Sequence, residues 1–225
     1  MVVNPRKIGN TTLHDGLTRG AVVLAGGASR RMGRSKAWLD VGGRTSLSRV
    51  VAALQCSGGP IVLVGRGPQQ PLPAQSADVI RVHDAAEWTG QGPLAGLQAG
   101  LAELSRCGVD VGYLSGCDAV LLDERHVAWI LDRLATSSGH DATIPMSTDG
   151  RYHVLAGAVR VEVALRAVEA LLVGGARSLQ ALANRLHTDA VPEHELPVVD
   201  VLMPCNTPAE WQAAMSGVRR AEPLE

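Results

Sequence analysis

Short apolar runs alternating with segments of helical period set the strongest limit on what this chain can fold into. Gly20 to Leu24, Ile61 to Val64, Val79 to Val82, Val111 to Leu114, Ala142 to Pro145, Val154 to Val159 and Val198 to Leu202 have the length of strands buried on both faces. Between them, Leu47, Val50, Val51 and Leu54 share one helical face. Leu94, Leu97, Leu101 and Leu104 form a second such stripe, and Val127, Ile130, Leu131 and Leu134 a third. The alternation predicts an α/β fold, a three-layer α/β/α arrangement around a mostly parallel, Rossmann-like central sheet. At 225 residues the chain is long enough to bury one continuous core without disulfides or metals as staples. We therefore expect one domain over residues 19–216, with frayed ends at 1–18 and 217–225. Val161 to Val173 and Ser178 to Leu186 read as two helices joined by Gly174-Gly175 with no strand between them, which suggests an insertion beside the sheet. Thr207-Pro208-Ala209-Glu210 has the form of a helix start, with Thr as N-cap, Pro at the first helical position and Glu three residues after the cap.

Composition removes several function classes. A formal net charge of -1 implies no polyanionic partner. With no Phe, two Tyr and four Trp, there is little from which to build a platform for stacked bases, so nucleic acid is not an expected partner. The four cysteines, Cys56, Cys107, Cys117 and Cys205, include no C-x-x-C pair and read as reduced, mostly buried thiols. The polar N-terminal stretch has no apolar core of signal-peptide or membrane-span length, which points to a cytoplasmic enzyme with no membrane association.

The chemistry begins where the first apolar run ends. Val22-Val23-Leu24 passes directly into Ala25-Gly26-Gly27-Ala28-Ser29-Arg30-Arg31-Met32-Gly33, a strand leading into small residues and a cationic turn. Open α/β sheets bind ligands outside the carboxyl ends of their strands. Glycines allow backbone N–H groups to approach a phosphate closely, and Arg30, Arg31, Arg34 and Lys36 supply cations to balance a triphosphate. The spacing fits neither the G-x-x-x-x-G-K-[ST] loop nor the G-x-G-x-x-G turn, which sets aside a dinucleotide-dependent oxidoreductase. Without further support it would read as a glycine turn beside a solvated basic patch. Asp118 follows the run that ends in Cys117, so it lies at another strand's carboxyl end. A carboxylate there serves either as a turn residue or, with phosphate oxygens and water, as a ligand for Mg²⁺.

The stretch from Leu24 to Lys36, followed by Leu39 and Gly42-Gly43, resembles the signature loop of the molybdenum cofactor guanylyltransferases. These lie within the wider nucleotidyltransferases of sugar-nucleotide and cofactor synthesis. Gly92-Pro93-Leu94-Ala95-Gly96 before a helix, Cys117-Asp118 after a strand and Asn206-Thr207-Pro208 near the C-terminus agree in order and spacing, so that the resemblance covers roughly residues 20–215. It implies that GMP passes from GTP to the terminal phosphate of molybdopterin, with pyrophosphate as leaving group and Mg²⁺ as cofactor. By the same resemblance Leu24, Ala25, Gly26, Gly27, Lys36, Asp84 and Asp118 bind nucleotide, Asp84 on the guanosine side. Asp118 also holds the metal, and Lys36, Arg30 and Arg31 act with it on the phosphates. Gly92, Pro93, His153 and Asn206 fall on the acceptor side. Contact with other molybdenum cofactor biosynthesis or molybdoenzyme-maturation proteins is a further implication.

The chain departs from the family pattern at several points. Val64 or Gly65 stands where an Asn follows the second strand. Cys117-Asp118 continues into Ala119-Val120 rather than a short residue and Pro, which loosens the expected turn. The usual pair of asparagines near the end is reduced to Asn206, and His153 is followed by Val154 rather than Pro. Two alternatives in the same fold remain: a cytidylyltransferase on the same cofactor, disfavoured by Gly26 and Gly92-Pro93, and another small-metabolite nucleotidyltransferase. A nucleotide-binding regulator that has lost turnover is the alternative from a different class.

Overall fold

A computed structural model of the chain describes residues 16–26, 35–67, 69–75, 79–203, 205 and 207–221. The first strand, β1 (Arg19–Leu24), leads to a small hairpin of β2 (Asp40–Val41) and β3 (Arg44–Thr45), and then to α1 (Ser46–Leu54). Next come β4 (Ile61–Gly65), β5 (Val79–His83), α2 (Pro93–Arg106), β6 (Val111–Gly116) and α3 (Glu124–Thr136). The last third holds β7 (Ala142–Met146), β8 (Ala158–Arg160), α4 (Val161–Val173), α5 (Leu179–Arg185), β9 (Thr188–Pro192) and α6 (Pro208–Ala221).

Among the described residues, seven strands form one sheet in the order β5-β4-β1-β6-β8-β7-β9. All neighbouring pairs are parallel except those that β8 makes with β6 and with β7. Side chains alternate across a strand, and β1 divides accordingly. Ala21 and Val23 join the apolar cluster with Leu47, Val50 and Leu54 of α1 and with Val127, Ile130 and Leu131 of α3. Val22 joins the opposite cluster, with Leu94, Leu97, Leu101 and Leu104 of α2 and Val161, Val168 and Leu172 of α4. All three helical stripes read from the sequence are thus buried against the sheet, each fully buried Leu or Val contributing about 1.5–3 kcal/mol.

The last third differs from the sequence reading in three places. Val154 to Val159 is not one strand: Val154–Ala156 forms a 3-10 turn, and the strand begins at Ala158. His126 of α3 holds that turn, its Nε2 lying 3.0 Å from the Ala156 carbonyl oxygen. Val198 to Leu202 is no strand either, since Val199–Leu202 is a 3-10 helix. The sheet's last strand is instead β9, in register with β7 from Ala142↔Thr188 to Met146↔Pro192. Its polar residues and terminal proline hide it from a search for apolar runs, because an edge strand needs burial on fewer sides. Nor are α4 and α5 an insertion: both bury apolar residues in the cluster beneath α2.

At the C-terminus the predicted helix start is present. The Thr207 N–H donates to Glu210 Oε2 at 3.0 Å and the Glu210 N–H to Thr207 Oγ1 at 3.2 Å, a reciprocal capping box. The helix runs to Ala221, past the Gly217 boundary at which the sequence suggested fraying. Among the described residues no helix is long and apolar enough to cross a membrane.

Candidate active site

The parallel register aligns the ends of four adjacent strands. Leu24 of β1 is level with Val64 of β4 and with Gly116 of β6, and Val64 is level with Val82 of β5. Two residues beyond this shared rung stand Asp118, Gly26, Arg66 and Asp84, one from each strand in the order β6, β1, β4, β5. With strands spaced about 4.8 Å apart, the row spans about 14 Å. The row has a carboxylate at each end and lies at the carboxyl ends of the strands, where ligands of such folds bind.

At one end Lys36, from a short 3-10 turn after the glycine loop, places Nζ 2.6 Å from Asp118 Oδ2. Both side chains are largely sheltered, 14% and 31% exposed, so the charges are only partly screened. Gly116 makes room for this carboxylate, since a Cβ there would lie 2.6 Å from Asp118 Oδ1. The turn after Asp118 is firmly held despite the absence of a proline. Arg49 Nε donates to the Val120 carbonyl oxygen at 2.9 Å, and Val120 is buried with Val41, Cys205 and Ala214. Burial, and then the neighbouring Asp118 charge, push the Cys117 thiol up to about 12, so it stays protonated and is no nucleophile. Cys117 and Cys205 are buried as expected, whereas Cys107 is intermediate and Cys56 exposed; all four are free thiols.

At the other end Asp84 leaves β5 and lies over the ends of two strands. A Cβ on Gly96 of α2 would meet Asp84 Oδ1, Leu24 and Val64 at 3.4–3.5 Å, so the carboxylate packs directly on the helix backbone. Desolvation raises the Asp84 pKa above its ordinary 3.8, opposed by the Gly90 N–H and by the charges of His83 and Arg66. Gly92 is the N-cap of α2, with φ of 86°, and Pro93 is its first residue. A Cβ on Gly92 would approach the Arg177 carbonyl oxygen at 3.3 Å. Three residues further on, Gln180 clasps the Tyr152 backbone from both sides, its Nε2 donating to the carbonyl oxygen at 2.6 Å and its Oε1 accepting from the N–H at 3.1 Å. Gly92 thus lies against the α4–α5 connection, and Tyr152, next to His153, against the start of α5.

His153 belongs to a second cluster on the far side of Asp118. Ser147 Oγ is 2.5 Å from His153 Nε2, and Glu193 Oε1 is 3.9 Å from the same nitrogen. Ser147 and Glu193 directly follow the paired ends of β7 and β9, Met146 and Pro192. Burial lowers the His153 pKa, so the ring is mainly neutral at pH 7. Asp118 thus stands between the Asp84 end of the row and the His153 cluster. Among the described residues no three His, Cys, Asp or Glu side chains gather as a ready-made metal centre. Gly27, Arg30, Arg31 and Asn206 lie outside the described residues.

Residues 21–191 match the MobA-like NTP transferase domain. The chain belongs to that family. It is 36% identical over 201 residues, 88% of this chain and 96% of its relative, to a protein named "Probable molybdenum cofactor guanylyltransferase" in Mycobacterium avium. A namesake in Mycobacterium marinum is 34% identical over 197 residues, covering 87% of this chain and 94% of that one. Among solved structures, molybdopterin-guanine dinucleotide biosynthesis protein A of Archaeoglobus fulgidus superposes with a TM-score of 0.72 at 19% identity, over 89% of this chain and 99% of that one. At that identity the likeness speaks for the fold alone. The MobA-like domain is a nucleotidyltransferase, and of the residues expected from the sequence to bind nucleotide, the described ones, Leu24, Ala25, Gly26, Lys36, Asp84 and Asp118, stand along one sheet edge. Two residues that brace this sheet edge escaped the sequence reading. Arg66 and Gln70 sit in a loop that looked like a Pro/Gly/Gln connection, yet Arg66 Nε donates to the Gly26 carbonyl oxygen at 3.0 Å and Gln70 Nε2 to that of Ala25 at 2.9 Å. Only the register of β4 against β1 reveals them.

Proposed function

We propose that this chain joins GMP from GTP to the terminal phosphate of molybdopterin and releases pyrophosphate. The observation that carries the reading is the alignment of Asp118 and Asp84 at opposite ends of one strand-end row, in a chain whose relatives are named for guanylyl transfer. A row of about 14 Å suits an extended nucleotide, with phosphates toward Asp118 and base toward Asp84.

In this reaction an acceptor phosphate oxygen attacks the α-phosphorus of GTP. A new P–O bond forms there as the bond to the β-phosphate oxygen breaks, and the electron pair leaves with pyrophosphate. The nucleophile is already ionised, so no side-chain base is required. Positioning and charge neutralisation supply most of the acceleration. Lys36 stabilises the negative charge that accumulates on the departing pyrophosphate, while the loop amides from Gly26 onward hold the β- and γ-phosphates and Arg30 or Arg31 adds positive charge. Asp118 suits Mg²⁺ once phosphates draw Lys36 away from it, because a single carboxylate is enough for an ion that takes its other ligands from phosphate and water. An ion held by Asp118 would supply charge neutralisation to the phosphates. His153, fixed by Ser147 and beyond Asp118 from the nucleotide half, faces the acceptor side together with Gly92 and Pro93.

Pyrophosphate release measured with GTP, CTP and a sugar-nucleotide panel, with and without molybdopterin, tests the reading. The expected result is release with GTP that depends on molybdopterin. Release with CTP in preference to GTP, or none with either, would overturn it.

A further inference from the structure

β4 and β5 run parallel with Gly65 opposite His83, so Arg66 and Asp84 are the next residues off neighbouring strands. The Arg66 guanidinium is anchored on one edge, through Nε to the Gly26 carbonyl oxygen, and Gln70 accepts from its backbone N–H. Its two terminal nitrogens have no hydrogen-bond partner among the described residues, and the side chain is exposed. Asp84 is held from below by the bare backbone at Gly96 and by the ends of β1 and β4. A rigid five-donor fork and an acceptor-only carboxylate therefore stand side by side at the end of the row away from Asp118.

We propose that Arg66 is a specificity-determining residue that, paired with Asp84, reads guanine. Its terminal N–H groups donate to O6 and N7 while Asp84 accepts from N1–H and the 2-amino group. Guanine alone among the common bases offers two adjacent donors beside two adjacent acceptors. Adenine presents an acceptor at N1, where the carboxylate needs a donor, and a donor at N6, where the arginine needs an acceptor. Cytosine offers Asp84 one amino group and leaves half of the fork without a partner. Asp84 is half-buried, and such a polar group left unpaired by the wrong base weakens binding more than a lost apolar contact does. The charge that Arg66 places near Asp84, which acts against the desolvation of that carboxylate, also favours the ionised acceptor this pairing requires.

The inference rests on the GTP reading above, and nucleotide analogues separate the two. Binding of GTP, 7-deaza-GTP, ITP, ATP and CTP to the full-length protein is measured by calorimetry, with Arg66→Ala and Arg66→Lys alongside. On the parent, 7-deaza-GTP, which lacks N7, is expected to bind about tenfold more weakly than GTP. On Arg66→Ala the two should bind equally, while ITP, which lacks the 2-amino group, should keep its deficit because that contact belongs to Asp84. Arg66→Lys, with a point charge in place of the fork, should follow Arg66→Ala in discrimination. If the parent prefers GTP but binds 7-deaza-GTP as tightly, or if Arg66→Ala weakens both by the same factor, Arg66 only braces Gly26 and the inference fails while the GTP reading stands. A parent with no preference for GTP over CTP overturns both.

Discussion

Lys36 and Asp118, 82 residues apart in the chain, meet at 2.6 Å at the carboxyl end of the sheet's central strands. In the proposed reaction this pair would hold the cation and the carboxylate in place before nucleotide arrives, so that little reorganisation would be needed when phosphates replace one partner. Such preorganisation is where electrostatic catalysis gains most.

Replacing either member separates its role from the fold. Asp118→Ala should bring nucleotidyl transfer to background, and Lys36→Ala should lower kcat/KM by about 100-fold. Both melts should stay close to the parent's, since neither side chain fills the core. Asp118→Asn should also raise the Mg²⁺ concentration needed for half-maximal rate, and chelation of divalent ions should stop the parent. Near-normal turnover of Asp118→Ala would remove that residue from the site.

Gly116→Ala tests whether the space beside Asp118 matters. The added Cβ would sit 2.6 Å from Asp118 Oδ1, so the carboxylate must rotate away. The expected result is a drop in kcat of about tenfold or more with the far-ultraviolet circular dichroism unchanged. Wild-type kinetics in this variant would show that the carboxylate has freedom which the geometry denies it.

The Asp84 carboxyl gives a pH prediction. Its folded pKa is raised above 3.8, chiefly by desolvation, so folding favours the protonated form relative to the unfolded chain. Its contribution to stability is therefore fully present below the unfolded value and is lost as pH rises through the folded one. Asp84→Asn should match the parent's melting temperature in acid and exceed it once pH has climbed past that range, while binding GTP more weakly. A parent that gains on the variant as pH rises would contradict the assigned sign.

Gly100 carries a prediction about stability. It faces Val22 across the α2–sheet interface, and a Cβ would fall 2.5 Å from Val22 Cγ1. Alanine improves helix propensity by about 1 kcal/mol, but overpacking costs about 1–3 kcal/mol, so Gly100→Ala should be destabilised on balance. Urea denaturation measures the difference, and a more stable variant would mean that the interface yields more readily than its packing suggests.

Local chemistry was enough to read much of this molecule in its sequence. Apolar runs placed β1, β4, β5, β6 and β7, three leucine- and valine-rich stripes placed the faces of α1, α2 and α3, and Thr207 and Glu210 marked the start of α6. Each of these is decided by residues a few positions apart. The expectation that Lys36, Asp84 and Asp118 form the site had a different source: they stand in motifs resembling a known family. The tertiary structure alone decided the rest. β8 runs against its neighbours, and β9 is a polar strand that pairs only because β7 offers it an edge. The turn after Asp118 is held by Arg49 from another element, in place of a proline. Arg66 could not be seen beforehand because its position depends on how β4 registers against β1 and β5, and register is set by packing between segments far apart in the chain rather than by any pattern within one of them.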